Sequence, residues 1–392
     1  MHSGEDRVPC VTCILKVTRW GGEGGGMENG SARKFRIRRI ALVVVAVAAV
    51  LLVGVVPFGI SAYVYESNFG SRLQSAAFME RTADEFPGLS VREASFTSDQ
   101  GQTLASYLFT HADAGMDESG AGAKGVVVIA HGLGGGCNSY MDVADRFARS
   151  GYAVFAYDGT GNDRSEGDAV GGLPQAVIDL GHALDTVEQS DDLGDLPIML
   201  FGHSWGGYAV GSVLVDHPEV SAVVSVAGFD TSAAMLESEG RQMTGDAINL
   251  LLPYLSLYEH LKFGAYADSS AVRGFASSPA HVLVLHSAND GTVPPATGVE
   301  RYRAAFGDDS RFTFVEFEDR GHSFLYYSDE ARANIDAFNE AYYAYWDAND
   351  GASNADLMNA WRAEHMDKQA CFILDEDLMS SIVAFYDESA AR

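Results

Sequence analysis

Five consecutive residues, Gly202-His-Ser-Trp-Gly206, carry the pattern G-x-S-x-G, which offers a serine hydroxyl for attack on a carbonyl. A serine hydroxyl is a weak nucleophile at neutral pH. It needs a base, and the base needs an acid that holds its tautomer. Both stand downstream in the order such chemistry takes: Asp290 within His286-Ser-Ala-Asn-Asp-Gly-Thr-Val-Pro294, and His322 within Asp319-Arg-Gly-His-Ser323. Asp230 is the reserve acid. Attack on a carbonyl also creates an oxyanion, which two backbone N–H groups must receive. The side-chain-poor run Ala130-His-Gly-Leu-Gly-Gly-Gly136 suits one donor, so the expected pair is the amides of Leu133 and Trp205. His131 in that loop reads as structural, because a triad uses one histidine.

With 42 glycines in the chain, chance alone supplies about 0.4 matches to G-x-S-x-G, so the weight falls on context. An apolar run precedes Ser204 and an amphipathic stretch from Tyr208 to Asp216 follows it, the strand, sharp turn and helix of a nucleophile elbow. Strands are expected over 102–110, 125–130, 152–157, 197–201, 221–226, 281–286 and 312–317, alternating with helical patterns as in an α/β fold with a parallel sheet. Several are almost wholly Val, Ile, Leu and Phe, as strands buried on both faces should be. About fifty residues, 229–278, hold no strand pattern but crowd apolar side chains such as Ile248, Leu251, Leu255, Tyr258 and Phe263, and read as a helical lid. Apolar positions Ala331, Ile335, Phe338, Tyr342 and Tyr345 predict a helix after 328, and a last helix is expected over 376–387, within a C-terminal extension 328–392.

Upstream, the stretch from Ile40 to Ile60 has no charged residue and is long enough to span a bilayer, with the expected span at 40–63. Arg33, Lys34, Arg36, Arg38 and Arg39 precede it, which puts 1–39 on the cytoplasmic side of a cytoplasmic membrane and the remainder outside. A signal peptide cut near Ser61-Ala62 is the competing reading, although its apolar region would be longer than usual. Residues 64–92 read as a linker into a domain that occupies 93–392. The glycine-rich stretch before Met27 suggests that translation begins there, and Cys10 and Cys13, though spaced CxxC, lack the partners of a metal site. Cys137 and Cys371 are expected as free thiols.

The formal charge is −28, and residues 66–392 hold 18 basic against 50 acidic side chains, which excludes nucleic acid as a natural partner. The sequence sets no oligomeric state.

The set HGLGGG at 131–136, YDGTGNDRSEG at 157–167, GHSWGG at 202–207, SANDGTVP at 287–294 and RGHS at 320–323 resembles the α/β-hydrolase superfamily, and within it the serine aminopeptidase and monoacylglycerol-lipase-like branch. The likeness covers 95–325. It implies a mostly parallel eight-stranded sheet with helices on both faces, a lid after the sixth strand, no cofactor and no metal. It also carries Ser204, Asp290 and His322 into a triad, and Leu133 and Trp205 into an oxyanion hole. Two features depart from the pattern: Trp205 stands where Met or Gln is common, and a long helical tail follows the histidine. The expected activity is hydrolysis of a small acyl ester or lipid-like substrate by a membrane-tethered enzyme. A proline iminopeptidase-like peptidase is the rival, with Glu237, Glu239 or Glu259 of the lid available for a substrate amine. A non-catalytic, membrane-anchored binding protein is the third reading, and the intact triad argues against it.

Overall fold

The computed structural model describes residues 30–391, so Cys10, Cys13 and the suspected start at Met27 lie outside the described residues. The chain divides into two units, Met1–Val56 and Pro57–Arg392. In the first, helix α1 (Gly30–Val50) passes into a π-helical stretch, Leu51–Val55. Its apolar side chains, among them Leu42, Val45 and Leu52, are exposed. A helix that is apolar all round and uncovered is suited to a lipid solvent, where its backbone groups are satisfied internally. The widened turn ends two residues before Pro57, which has no N–H to donate and crowds the turn before it. Helix α2 (Val56–Phe69) follows without a break in helical assignment, so helical residues extend to Phe69, beyond the expected span at 40–63.

The second unit is built on one sheet of eight strands: β1 (Leu89–Thr97), β2 (Thr103–His111), β3 (Val126–Ala130), β4 (Ala153–Tyr157), β5 (Ile198–His203), β6 (Ala222–Val226), β7 (His281–Ser287) and β8 (Phe312–Phe317). Their order is β1-β2-β4-β3-β5-β6-β7-β8. β2 runs antiparallel to both its neighbours, and the rest pair in parallel. Seven strands lie within a residue or two of the expected runs. The additional one, β1, begins inside the stretch expected as a linker and pairs along its whole length with β2, from Leu89 opposite His111 to Thr97 opposite Thr103. It is an edge strand with little buried surface, so no apolar alternation announces it.

Eleven further helices follow in chain order: α3 (Met141–Arg149), α4 (Gln175–Glu188), α5 (Trp205–Ser212), α6 (Ser232–Thr244), α7 (Leu252–Phe263), α8 (Ala271–Ser277), α9 (Val299–Phe306), α10 (Asp329–Ala348), α11 (Ala355–His365), α12 (Lys368–Cys371) and α13 (Glu376–Ala390). Alternate residues of a strand point to opposite faces. Val126 and Val128 accordingly join a core with α4, α5, α8 and α9, whereas Val127 and Ile129 join one with α3 and α13. Tyr386 of α13 is fully buried and donates its hydroxyl to the Leu200 carbonyl, 2.8 Å away. The C-terminal tail therefore supplies a layer of the domain. Cys137 and Cys371 are separate buried thiols.

Residues 57–87 are tied down throughout. In α2, Tyr65 is buried and donates to Glu259 of α7 at 2.8 Å, and Glu66 receives Tyr258 at 2.7 Å and Lys262 at 2.6 Å, both from α7. A Cβ at Gly172 would collide with the Tyr65 hydroxyl, so only glycine fits there. Further on, the Arg72 guanidinium reaches the carbonyls of Asp163, Ser165 and Gly167, and Ser75 binds the Asp163 carboxylate. Phe78 stacks on Phe338 of α10, and Lys368 of α12 donates to the Glu80 carbonyl. The region expected as a lid forms α6, α7 and α8, after the sixth strand.

Candidate active site

Ser204 sits between β5 and α5 with φ 58° and ψ −114°, a left-handed backbone that a non-glycine residue adopts only when its surroundings impose it. They do so here: the Ser204 N–H donates to the Val226 carbonyl at 2.8 Å, and the flanking glycines have no room for a side chain. A Cβ on Gly202 would strike the Gly206 carbonyl, and one on Gly206 would strike that of Ala130. The sharp turn lifts the hydroxyl to the carboxyl end of the sheet.

There the structure brings together the three side chains that the sequence singled out. The Ser204 Oγ lies 2.8 Å from Nε2 of His322, and Nδ1 of His322 lies 2.8 Å from Oδ2 of Asp290. An ionised carboxylate only accepts, so Nδ1 carries the proton and Nε2 is free to take one from the serine. Burial works to raise the pKa of Asp290. The hydrogen bond from His322 and the amides that the carboxylate accepts outweigh that effect and hold the carboxyl below the usual range. Its other oxygen accepts the amides of Thr292 and Val293 at 2.9 and 2.8 Å. Asp230, the reserve acid, is engaged elsewhere: it accepts from Ser270 and from the Val272 amide, and pairs with Arg301 at 3.3 Å.

The two amides expected to receive an oxyanion belong to Leu133, in the turn after β3, and Trp205, the first residue of α5. Among the described residues, neither donates to another backbone carbonyl. The Trp205 side chain turns inward, is 2% exposed and donates its indole N–H to the Leu173 carbonyl at 2.7 Å. That departure from the pattern therefore fills core volume. His131 is structural, as expected. Its Nδ1 meets the Gly132 carbonyl and its Nε2 accepts the Gly159 amide, each at 2.8 Å.

Several positioning groups carry no sequence signal. Asn289 accepts the Gly321 amide at 2.8 Å, and Ser287 accepts the Arg320 amide at 2.9 Å, so the turn before His322 is sewn to the turn that carries Asp290. Arg320 lies over the Phe317 ring and reaches the Leu325 carbonyl and Asp375. Behind Ser204, His203 contacts both Tyr140 and the backbone of His322. Serine, asparagine and arginine are ordinary loop residues, and only the folded partners distinguish these.

A family model described as serine aminopeptidase, S33, matches residues 121–280. The chain is 28% identical over 137 residues to a monoglyceride lipase of Rattus norvegicus, 34% of this chain and 45% of that protein. It is 36% identical over 104 residues to a monoacylglycerol lipase of Mycolicibacterium smegmatis, 26% of this chain and 36% of that one. The chain has the fold of the α/β-hydrolases. Within the superfamily its likeness is to the serine aminopeptidase and monoacylglycerol-lipase-like branch. The matches span less than half the length of these curated relatives. Among solved structures, an esterase of Pyrococcus furiosus superposes with a TM-score of 0.49 at 14% identity, over 64% of this chain and 91% of that one.

Proposed function

We propose that this α/β-hydrolase is a membrane-anchored serine esterase, carboxylesterase or lysophospholipase-like, that works through an acyl-enzyme on Ser204. The observation that carries the reading is the unbroken line Ser204–His322–Asp290, with both links at 2.8 Å. His322 takes the serine proton as Oγ attacks the ester carbonyl, and the amides of Leu133 and Trp205 receive the negative oxygen. Collapse breaks the C–O bond, and His322 returns its proton to the departing alcohol. Water activated by the same histidine then hydrolyses the acyl-enzyme. No cofactor enters this cycle.

The relatives named monoglyceride and monoacylglycerol lipases support an acyl ester of lipid type. The peptidase reading loses ground in the lid. Of the three carboxylates named for a substrate amine, Glu237 is paired with Arg241 and Glu259 is buried and accepts from Tyr65 and Ser232, which leaves Glu239 for that role.

The uncovered apolar helix and the basic residues Arg33, Lys34, Arg36, Arg38 and Arg39 before it support a single-pass anchor with the hydrolase on the extracytoplasmic side. Ser61 and Ala62 lie inside α2, and Ser61, Tyr65 and Phe69 are buried, which supports an anchor that is retained over a leader that is cut there. Acyl p-nitrophenyl esters of graded length, assayed beside aminoacyl-naphthylamides, test the substrate class. Turnover of the esters is expected, and preference for the amides would overturn the esterase reading.

A further inference from the structure

The hydrogen bonds around His203 admit one set of directions. The His322 carbonyl can only accept, so Nε2 of His203, 3.0 Å away, carries the ring proton. Burial keeps the imidazole neutral, its pKa pushed down to about 3, first by desolvation and then by the neighbouring His322. Nδ1 is therefore bare and accepts the Tyr140 hydroxyl at 2.9 Å. That hydroxyl, its proton committed to His203, accepts the Gly132 amide at 2.9 Å. One uninterrupted line thus runs from the residue before Leu133 to the backbone of His322. It crosses β5 at the residue before Ser204. Both side chains are buried, at 7% exposure for His203 and 5% for Tyr140.

We propose that His203 and Tyr140 are positioning residues that hold the oxyanion loop and the His322 loop at a common spacing about Ser204. The proposal rests on the reading of Ser204 as nucleophile. Neither side chain hydrogen-bonds to a reacting atom, and the His203 ring packs beside that of His322, centroids 5.0 Å apart. They act because an oxyanion donor and a general base assist the same transition state only if both meet it within a few tenths of an ångström. The Gly132 amide has Tyr140 as its acceptor, and the amide that follows it in the chain belongs to Leu133. The His203 bond meanwhile fixes the carbonyl of the base itself.

Tyr140→Phe keeps the ring and leaves both Nδ1 of His203 and the Gly132 amide without a partner. In the full chain, kcat on a p-nitrophenyl ester is expected to fall about 10- to 100-fold with KM within about twofold, the mark of lost alignment rather than lost binding. His203→Leu should fall as far, and the double variant no further than either single one, because each cuts the same line. His203→Gln has a donor for the His322 carbonyl and an acceptor for Tyr140, and should recover most of the loss. An unchanged kcat in Tyr140→Phe, or additive losses in the double variant, would overturn the proposal. If Tyr140→Phe does not fold, equal kcat in His203→Gln and His203→Leu overturns it instead. Labelling of the wild type by a fluorophosphonate separates the two levels. An unlabelled, folded wild type sinks the serine-hydrolase reading, whereas a labelled wild type with unaffected variants sinks only the positioning role.

Discussion

The rim of the sheet that carries Ser204, Asp290 and His322 is built differently from the belt of residues 57–87 that joins helix α7 to the C-terminal helices. At the rim, each residue follows a strand end, and its backbone is set by its own turn and by the neighbouring strand ends: Ser204 by the crowding of Gly202 and Gly206 and by the Val226 carbonyl, Asp290 by the amides of Thr292 and Val293, and the turn before His322 by Ser287 and Asn289. In the belt, contacts leap along the chain. Tyr65 binds Glu259, Arg72 binds carbonyls between 163 and 167, and Phe78 stacks on Phe338. The contrast separates two kinds of requirement. Chemistry needs a few groups placed by stiff local geometry, whereas a lid and its attachments need only complementary surfaces.

The sharpest way to break the contrast is at the rim. Ser204→Ala should abolish fluorophosphonate labelling and lower kcat by at least about 10³-fold, with Asp290→Asn close behind because the imidazole loses its oriented tautomer. Both should leave the melting temperature nearly unchanged. A residual activity within tenfold of wild type would show that another group performs the attack.

In the belt the signs reverse. Tyr65→Phe removes one of two donors to the buried Glu259 carboxylate, and should cost about 1–2 kcal/mol of stability and expose α7 to proteolysis, with kcat per folded molecule little changed. A loss of kcat without loss of stability would mean that the belt reaches the chemistry directly.

The third test concerns acid. The folded pKa of His203 is about 3, below the usual 6.5, so between these values the unfolded chain binds a proton that the native one refuses. Its contribution to stability is present above about pH 6.5 and fades as the pH falls towards about 3. The groups facing the ring are Tyr140, Tyr326 and His322, with Asp290 beyond. His203→Gln should flatten the dependence of the denaturation midpoint on pH across that window. Burial lowers His286 as well, so some slope should persist. An unaltered slope would show that His203 does not titrate there.

Much of the rim was legible in the amino-acid sequence because its causes are local. The nucleophile turn needs glycines beside the serine, parallel strands buried on both faces are almost wholly apolar, and the acid and base follow the last two strands in order. Strand β1 escaped because an edge strand with polar residues such as Arg92, Glu93 and Ser95 has no buried face to impose alternation. The stretch expected as a linker shows no periodicity because its order comes from partners up to 288 residues away.

The sequence by itself determined seven strands of the sheet, the elbow, the choice of Ser204 and His322 with Asp290 ahead of Asp230 as the acid, and an apolar helix ahead of the domain. Tertiary structure alone decided that Asp290 and not Asp230 meets the imidazole, that the Trp205 side chain turns into the core, that Tyr65 closes on Glu259, and that His203 joins two loops behind the serine. The division has one physical reason. Backbone geometry and burial periodicity are written in neighbouring residues, whereas the partner of a polar side chain, and the burial that makes that partner necessary, exist only once distant segments have packed.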